Sequence, residues 1–175
     1  MTNSRFNKYI ESVPGRIASE LKQTKPMSLE AEALLNIHRT AGRLEAGMAE
    51  ALKPLDLSPA QYNVLRILRG ARPGGLACRE IGDRMVTRDP DITRLLDRLE
   101  KRGLIGRSRE SKDRRVITVR IHAEGLAALK KLDGAVDRFT RNHFGKLDAK
   151  RLRALIEALE LVRATDDAAG GRGAR

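Results

Sequence analysis

Guanidinium groups dominate the chemistry available in residues 87–121, TRDPDITRLLDRLEKRGLIGRSRESKDRRVITVRI. Arginine is always charged, and its planar fork donates paired hydrogen bonds that suit phosphate and guanine. Two groupings stand out. Arg88, Arg94 and Arg98 lie with Thr93 along or beside a run of helical periodicity, whereas Lys112, Arg114 and Arg115 crowd with Asp113 into the hexapeptide ESKDRR. Such side chains recognise a polyanion; they neither make nor break bonds.

The elements that must carry them follow from periodicity. Ile92, Leu95, Leu96 and Leu99 fall at i, i+3, i+4 and i+7, one apolar stripe of a helix, and leave Thr93, Arg94, Asp97, Arg98 and Lys101 on other faces. Asp89 can serve as N-cap with Pro90 at the first helical position; Thr87 is an equal alternative, and Gly103 suits the C-terminal stop. Beyond Gly103 the period drops to two, with Ile105, Arg107 and Arg109 alternating, and VITVRI over residues 116–121 alternates again. A helix running into a hairpin with a basic tip is the sequence form of a winged helix-turn-helix. The helix would lie in the major groove of double-stranded DNA, and a basic wing tip can enter the narrow minor groove. A solvated hairpin beside an ordinary amphipathic helix is the alternative.

Upstream, CREIGDRM (78–85) reads as a short helix, and a tight turn joins it to the helix above, forming the helix-turn-helix that braces a recognition helix for its groove. Before it, Ser58, Pro59 and Gln61 spell a capping box for a helix to about Arg69, with Leu57 and Tyr62 placed for a hydrophobic staple. Ser28 caps a long helix to about Lys53, ended by Pro54. Downstream, Leu126, Leu129, Leu132, Val136 and Phe139 mark a helix over roughly 123–143, and Asp148 caps a last one carrying Leu152, Leu155, Leu159 and Val162. Three apolar-striped helices exceed what a small winged helix needs to cover its core, and homodimerisation explains the surplus. Residues 1–27 read as an extension with two short helical turns, or as a disordered arm, and 166–175 as a loose tail. The expected fold is thus mainly α with a small β-wing: a winged helix at about 58–121, dimerisation helices at about 28–53 and 123–165, and a domain spanning 28–165.

Composition agrees. The net charge is +12, and residues 66–120 hold 16 Lys and Arg against 8 Asp and Glu, so +8 of the excess sits on the winged helix. Aromatic residues make up only 3% of the chain, too few to anchor a basic helix in a membrane surface, and no apolar run is long enough to span a bilayer. Without a secretory signal the protein is expected in the cytoplasm, associated with the nucleoid. One cysteine, Cys78, excludes an intrachain disulfide and a zinc site with several thiolates. With three histidines and no nucleophile–base arrangement, no enzyme, cofactor or metal site is expected.

LSPAQYNVLRIL (57–68), ITRLLDRLEKRGLI (92–105), the DRR of 113–115 and the glycine at 125 stand in an order and spacing that resembles the MarR (multiple antibiotic resistance regulator) family of bacterial transcription factors. The resemblance covers about residues 28–165. It implies a winged helix flanked by intertwined helices in a homodimer, an inverted-repeat operator, and most often repression. It implies that Thr93 and Arg94 face the groove or its phosphates, and that Arg115, with Arg114, reaches the minor groove while Asp113 holds the wing arginines. Arg88 and Arg98 are added from helix geometry; Arg98 could equally pair with an acid on its own helix. The chain departs from the family at Val86, where glycine is common in the turn, at Thr87, which replaces an apolar residue, at His122, which replaces a capping threonine, and at Ala77, which offers no cap.

Members of the family often bind small, frequently aromatic anions in a crevice between the dimer helices and the winged domain. By resemblance His38, Tyr62 and Arg66 would be the polar groups lining it here, and a small-molecule effector a further partner. Cys78, at a helix start beside Arg79, suggests a redox-responsive alternative. A sequence-tolerant architectural DNA binder is the other, because charge alone would suffice for it.

Overall fold

The computed structural model describes residues 16–71, 74–87, 91–109 and 117–170, with Arg109 and 165–170 described by backbone alone. The chain divides into two compact units, with the boundary between Gly47 and Met48.

In the first unit, helix α1 (Arg16–Glu20) precedes α2 (Leu29–Leu52). Ser28 caps α2 as its position predicts, its Oγ accepting from the Ala31 amide at 3.2 Å. Glu20 gathers three arginines, Arg16 at 3.0 Å, Arg39 at 3.4 Å and Arg43 at 3.3 Å, while Ile17 and Ala18 of α1 are buried.

In the second unit the end of α2 leads into a 3-10 turn, Lys53–Leu55, closed by Asp56 in the left-handed conformation at φ 49°. Helix α3 (Pro59–Gly70) then starts on the expected capping box. Ser58 Oγ accepts from the Gln61 amide at 3.2 Å, and Gln61 Oε1 accepts from the Ser58 amide at 3.0 Å. Both partners of the staple, Leu57 and Tyr62, are buried in the main core. Ser58→Ala removes one of the two reciprocal bonds and should lower the unfolding free energy by about 1 kcal/mol. Urea titration checks this; an unchanged midpoint would show that Pro59 and the staple alone fix the helix start.

Strand β1 (Leu76–Ala77), helix α4 (Cys78–Asp83), helix α5 (Ile92–Lys101), strands β2 (Ile105–Arg109) and β3 (Ile117–Ile121), and helices α6 (Ala123–Phe144) and α7 (Ala149–Gly170) complete the order. The sheet is antiparallel in the order β1-β3-β2, with Ile105 opposite Ile121, Arg109 opposite Ile117, and Leu76 opposite Val119. A mainly helical fold with a small sheet and a helix-to-hairpin step is therefore present as expected. No helix among the described residues is long and apolar enough to cross a membrane.

One core holds this unit together. Val64, Leu65 and Leu68 of α3, Ile81 of α4, Leu96 and Leu99 of α5, Ile105 and Val119 of the sheet, and Leu129 and Leu132 of α6 are all almost fully buried. Each such side chain contributes roughly 1.5–3 kcal/mol by leaving water, and together they fix α5 against α3 and the sheet.

Three local expectations are corrected. The N-cap of α5 is Asp91, whose Oδ1 accepts from the Arg94 amide at 3.1 Å, in place of Asp89 or Thr87. Helix α4 ends at Asp83, two residues early, because Met85 already belongs to the turn. Strand β1, two residues and so too short to show periodicity in the sequence, pairs with β3, and Gly75, at φ 79°, lies so close to β3 that a Cβ would stand 2.5 Å from the Val119 oxygen. Helix α7 also continues to Gly170, past the 165 at which the helical pattern fades in the sequence.

Candidate nucleic-acid interface

The stripe on α5 settles which of its side chains face out. Leu95, Leu96 and Leu99 are buried and Ile92 is half-buried, so Thr93, Arg94 and Arg98 are left on the exposed side. Arg94 Nε lies 3.3 Å from Asp91 Oδ2, an exposed pair that binds weakly and can release its guanidinium to a phosphate. Arg98 makes no ion pair among the described residues. The turn before α5 is held from α3, where Asn63 Oδ1 accepts from the Val86 amide at 2.9 Å. Val86 does not adopt a positive φ, so its position needs none of the conformational freedom of glycine.

Arg88 and the wing residues Lys112, Asp113, Arg114 and Arg115 lie outside the described residues. The base of the wing is described, and it is tied to α5 by a residue that the sequence shows only as part of the strand alternation. Arg107 of β2 donates from Nη1 to Asp97 Oδ1 at 2.6 Å and from Nη2 to the Thr93 carbonyl at 3.2 Å, and its amide donates to Glu100 Oε1 at 3.1 Å. Its buried Nε has no hydrogen-bond acceptor but sits 3.7 Å from Glu100 Oε2. Asp97 and Glu100 face the wing strand, and Arg107 neutralises them there. The signal is the Asp97, Glu100 and Arg107 spacing, invisible without the strand's register against the helix.

A second arginine anchors the other end of α5. Arg102 donates to the carbonyls of Asp56 and Leu55 at 2.5 Å and 2.7 Å, on the turn that follows α2. Charge-assisted bonds to carbonyls left over at a turn are among the stronger polar contacts a surface offers. On the sheet, Arg120 donates to Ser108 Oγ at 2.5 Å. His122, at the N-cap of α6, makes no side-chain cap. Its Nδ1 instead donates to the Gly103 carbonyl at 3.1 Å, and its ring fills the space above Gly106, where a Cβ would meet Nε2. Ala77 makes no side-chain cap either, but Glu80 Oε2 accepts from the Ala77 amide at 3.0 Å and secures the start of α4.

Of the three effector residues, the structure brings two together. The guanidinium of Arg66 lies 6.0 Å from the centre of the buried Tyr62 ring on α3, and Arg69, one turn on, pairs with Asp133 of α6 at 3.2 Å. His38 belongs to the first unit and is exposed there. Burial pushes the Tyr62 phenol above its ordinary range, with Arg66 and Arg69 pulling it back. A phenol whose folded pKa is raised above its unfolded value of about 10 adds stability below that value and loses it as pH climbs through the folded pKa. The unfolding free energy should therefore decline more steeply above about pH 10 in the wild type than in Tyr62→Phe. Superimposable alkaline limbs would show that burial of the hydroxyl carries no cost. Cys78, the first residue of α4, is half-buried with its Sγ 4.0 Å from the Ile117 carbonyl of β3.

Residues 57–117 match the model of the MarR family. The chain is 42% identical to a MarR transcription factor from Planctomyces limnophilus of known crystal structure, over 78% of this chain and 99% of that one, with a TM-score of 0.61. It is 25% identical to a mutant MarR from E. coli complexed with operator DNA, over 78% and 99% of the two chains, with a TM-score of 0.68. It is also 33% identical to the HTH-type transcriptional repressor MdtR of Bacillus subtilis, over 55% of this chain; the match spans 61% of that repressor's length.

Proposed function

The chain belongs to the MarR family and is a DNA-binding transcriptional regulator, and from that premise we propose that it is a homodimeric repressor, released from an inverted-repeat operator by a small aromatic anion. The observation that carries the DNA half of this reading is the exposed face of α5, where Thr93, Arg94 and Arg98 project from a helix whose opposite face is locked into the core. Residues 28–165 form the functional domain in this reading. Arg88 joins the helix contacts, Arg114 and Arg115 enter the minor groove beside Lys112, and Asp113 orders them. Two copies related by a two-fold axis place their recognition helices in half-sites about 10 base pairs apart.

The effector end rests on Tyr62 and Arg66. A phenol buried under a guanidinium offers one aromatic face and one cation, the pair that an aromatic carboxylate or phenolate needs. The similarity to a regulator complexed with operator DNA supports the reading for DNA.

The test is affinity for a duplex selected by the protein from a random pool, against unselected duplex of equal length, at about 0.15 M salt. A specific regulator should prefer the selected duplex by about a thousandfold or more. Arg98→Ala should weaken binding and reduce the slope of log affinity against log salt by about 0.9 for each phosphate that is no longer neutralised. Equal affinity for both duplexes would replace specific repression by sequence-tolerant architectural binding.

A further inference from the structure

The winged helix does not account for all of the positive charge. Residues 66–120 hold 16 Lys and Arg against 8 acids, residues 138–153 hold 6 against 1, and everything else together carries one acid in excess. The surplus thus lies in two separate blocks. The second comprises Arg138 and Arg141 on the last turns of α6, Lys146 in the connecting turn, and Lys150, Arg151 and Arg153 at the start of α7, all exposed. Arg141 lies 3.8 Å from Asp137; the other five side chains form no ion pair among the described residues.

This turn is firmly built. The Gly145 amide donates to the Arg141 carbonyl at 2.8 Å, and Asp148 caps α7 by accepting from the Arg151 amide at 2.8 Å. Three cations open α7, and its first turn has no acid. Cations at a helix start oppose the dipole, each at a cost of a few tenths to 1 kcal/mol. Folding gains nothing from that arrangement, whereas binding to a polyanion does.

Position separates this block from the wing. Arg138 lies fifteen residues along α6 from Ala123, about 22 Å at 1.5 Å per residue, and Ala123 follows β3 after His122 alone. The block and the wing therefore sit towards opposite ends of α6. We propose that the α6–α7 turn is a second, sequence-independent docking surface for double-stranded DNA, engaged by a duplex segment other than the one the winged helix holds. The inference rests on the DNA-binding reading above. A phosphate backbone fits better than a membrane surface, because α6 and the connecting turn expose no large apolar side chain and those exposed on α7 begin at Leu155, beyond the last cation of the block, where no aromatic residue accompanies them. A protein already seated on one segment of a long DNA also meets other segments at high local concentration.

The experiment begins with affinity for a short selected duplex, measured for the wild type and for a variant combining Lys146→Gln, Lys150→Gln and Arg153→Gln. The wild type is then held on that duplex, immobilised, and offered a fluorescent random-sequence duplex at about 50 and 150 mM salt. The expected result is capture of the second duplex that weakens with salt, falls at least tenfold in the variant, and leaves operator affinity unchanged and the thermal midpoint no lower than that of the wild type. No capture by the wild type, equal capture by the variant, or capture of phosphatidylserine vesicles in place of duplex would overturn the proposal. A wild type that binds no duplex in the first step would overturn the DNA-binding reading itself, so the two failures are distinct.

Discussion

Arg107→Met should lower operator affinity by about 10- to 100-fold, or about 1.4–2.8 kcal/mol, although Arg107 faces α5 and is not expected to touch DNA. Its fork joins β2 to Asp97 and to the Thr93 carbonyl, and its Nε stands by Glu100, so one side chain sets the angle between recognition helix and wing. With methionine, the hydrogen bond from the residue 107 amide to Glu100 remains, but Asp97 and Glu100 lose their cation while staying on the helix proposed above to approach phosphate. Two uncompensated carboxylates then repel the backbone, and the wing is no longer held in step with the major-groove contacts. Stability should fall less, by about 1–2 kcal/mol, because the two acids are 45% and 40% exposed and regain water. Arg107→Lys restores charge without the fork and should recover the electrostatic part of the affinity only. Anisotropy titration beside urea unfolding separates the two effects. Unchanged affinity in Arg107→Met would mean that helix and wing are aligned by the core alone.

The long elements are legible in the sequence, and the ties between them are not. The α5 stripe, the Ser58 capping box and the switch from period 3.6 to period 2 at Gly103 each rest on residues within a few turns or one strand of each other, and each is present in the fold. Arg107 acts on residues seven to fourteen positions away and Arg102 on residues 46 and 47 away, distances at which a sequence pattern carries no register. The α5 cap escapes sequence reading for a related reason. Asp89, Asp91 and Thr87 are all competent acceptors, and residue type does not distinguish them; in the fold it is Asp91 that meets the Arg94 amide. Likewise His122 reads as a failed cap for α6, whereas its ring covers Gly106 and closes the seam between β2 and the start of that helix.

Charges placed on the apolar face of α7 should have the largest effect of all. Leu155, Ile156, Leu161 and Val162 are 39%, 53%, 66% and 59% exposed, and no side chain described on this 22-residue helix is buried. A helix owes most of its stability in water to burial of an apolar face, and among the described residues of its unit nothing covers this face of α7. On α2, Leu29, Leu34 and Ile37 are exposed in the same way. A second copy would cover both, and an operator of two half-sites is then bound by two recognition helices held at a high effective concentration. A variant combining Ile156→Asp and Leu161→Asp should sediment as a monomer and lose operator affinity by at least about 100-fold, the gain that linking two sites provides. Should that variant fail to fold, dilution of the wild type tests the same coupling: its thermal midpoint must fall as the protein is diluted, since the monomer exposes what the dimer buries. A wild type that stays monomeric while saturating its operator would refute the dimer and leave the apolar face of α7 to another partner.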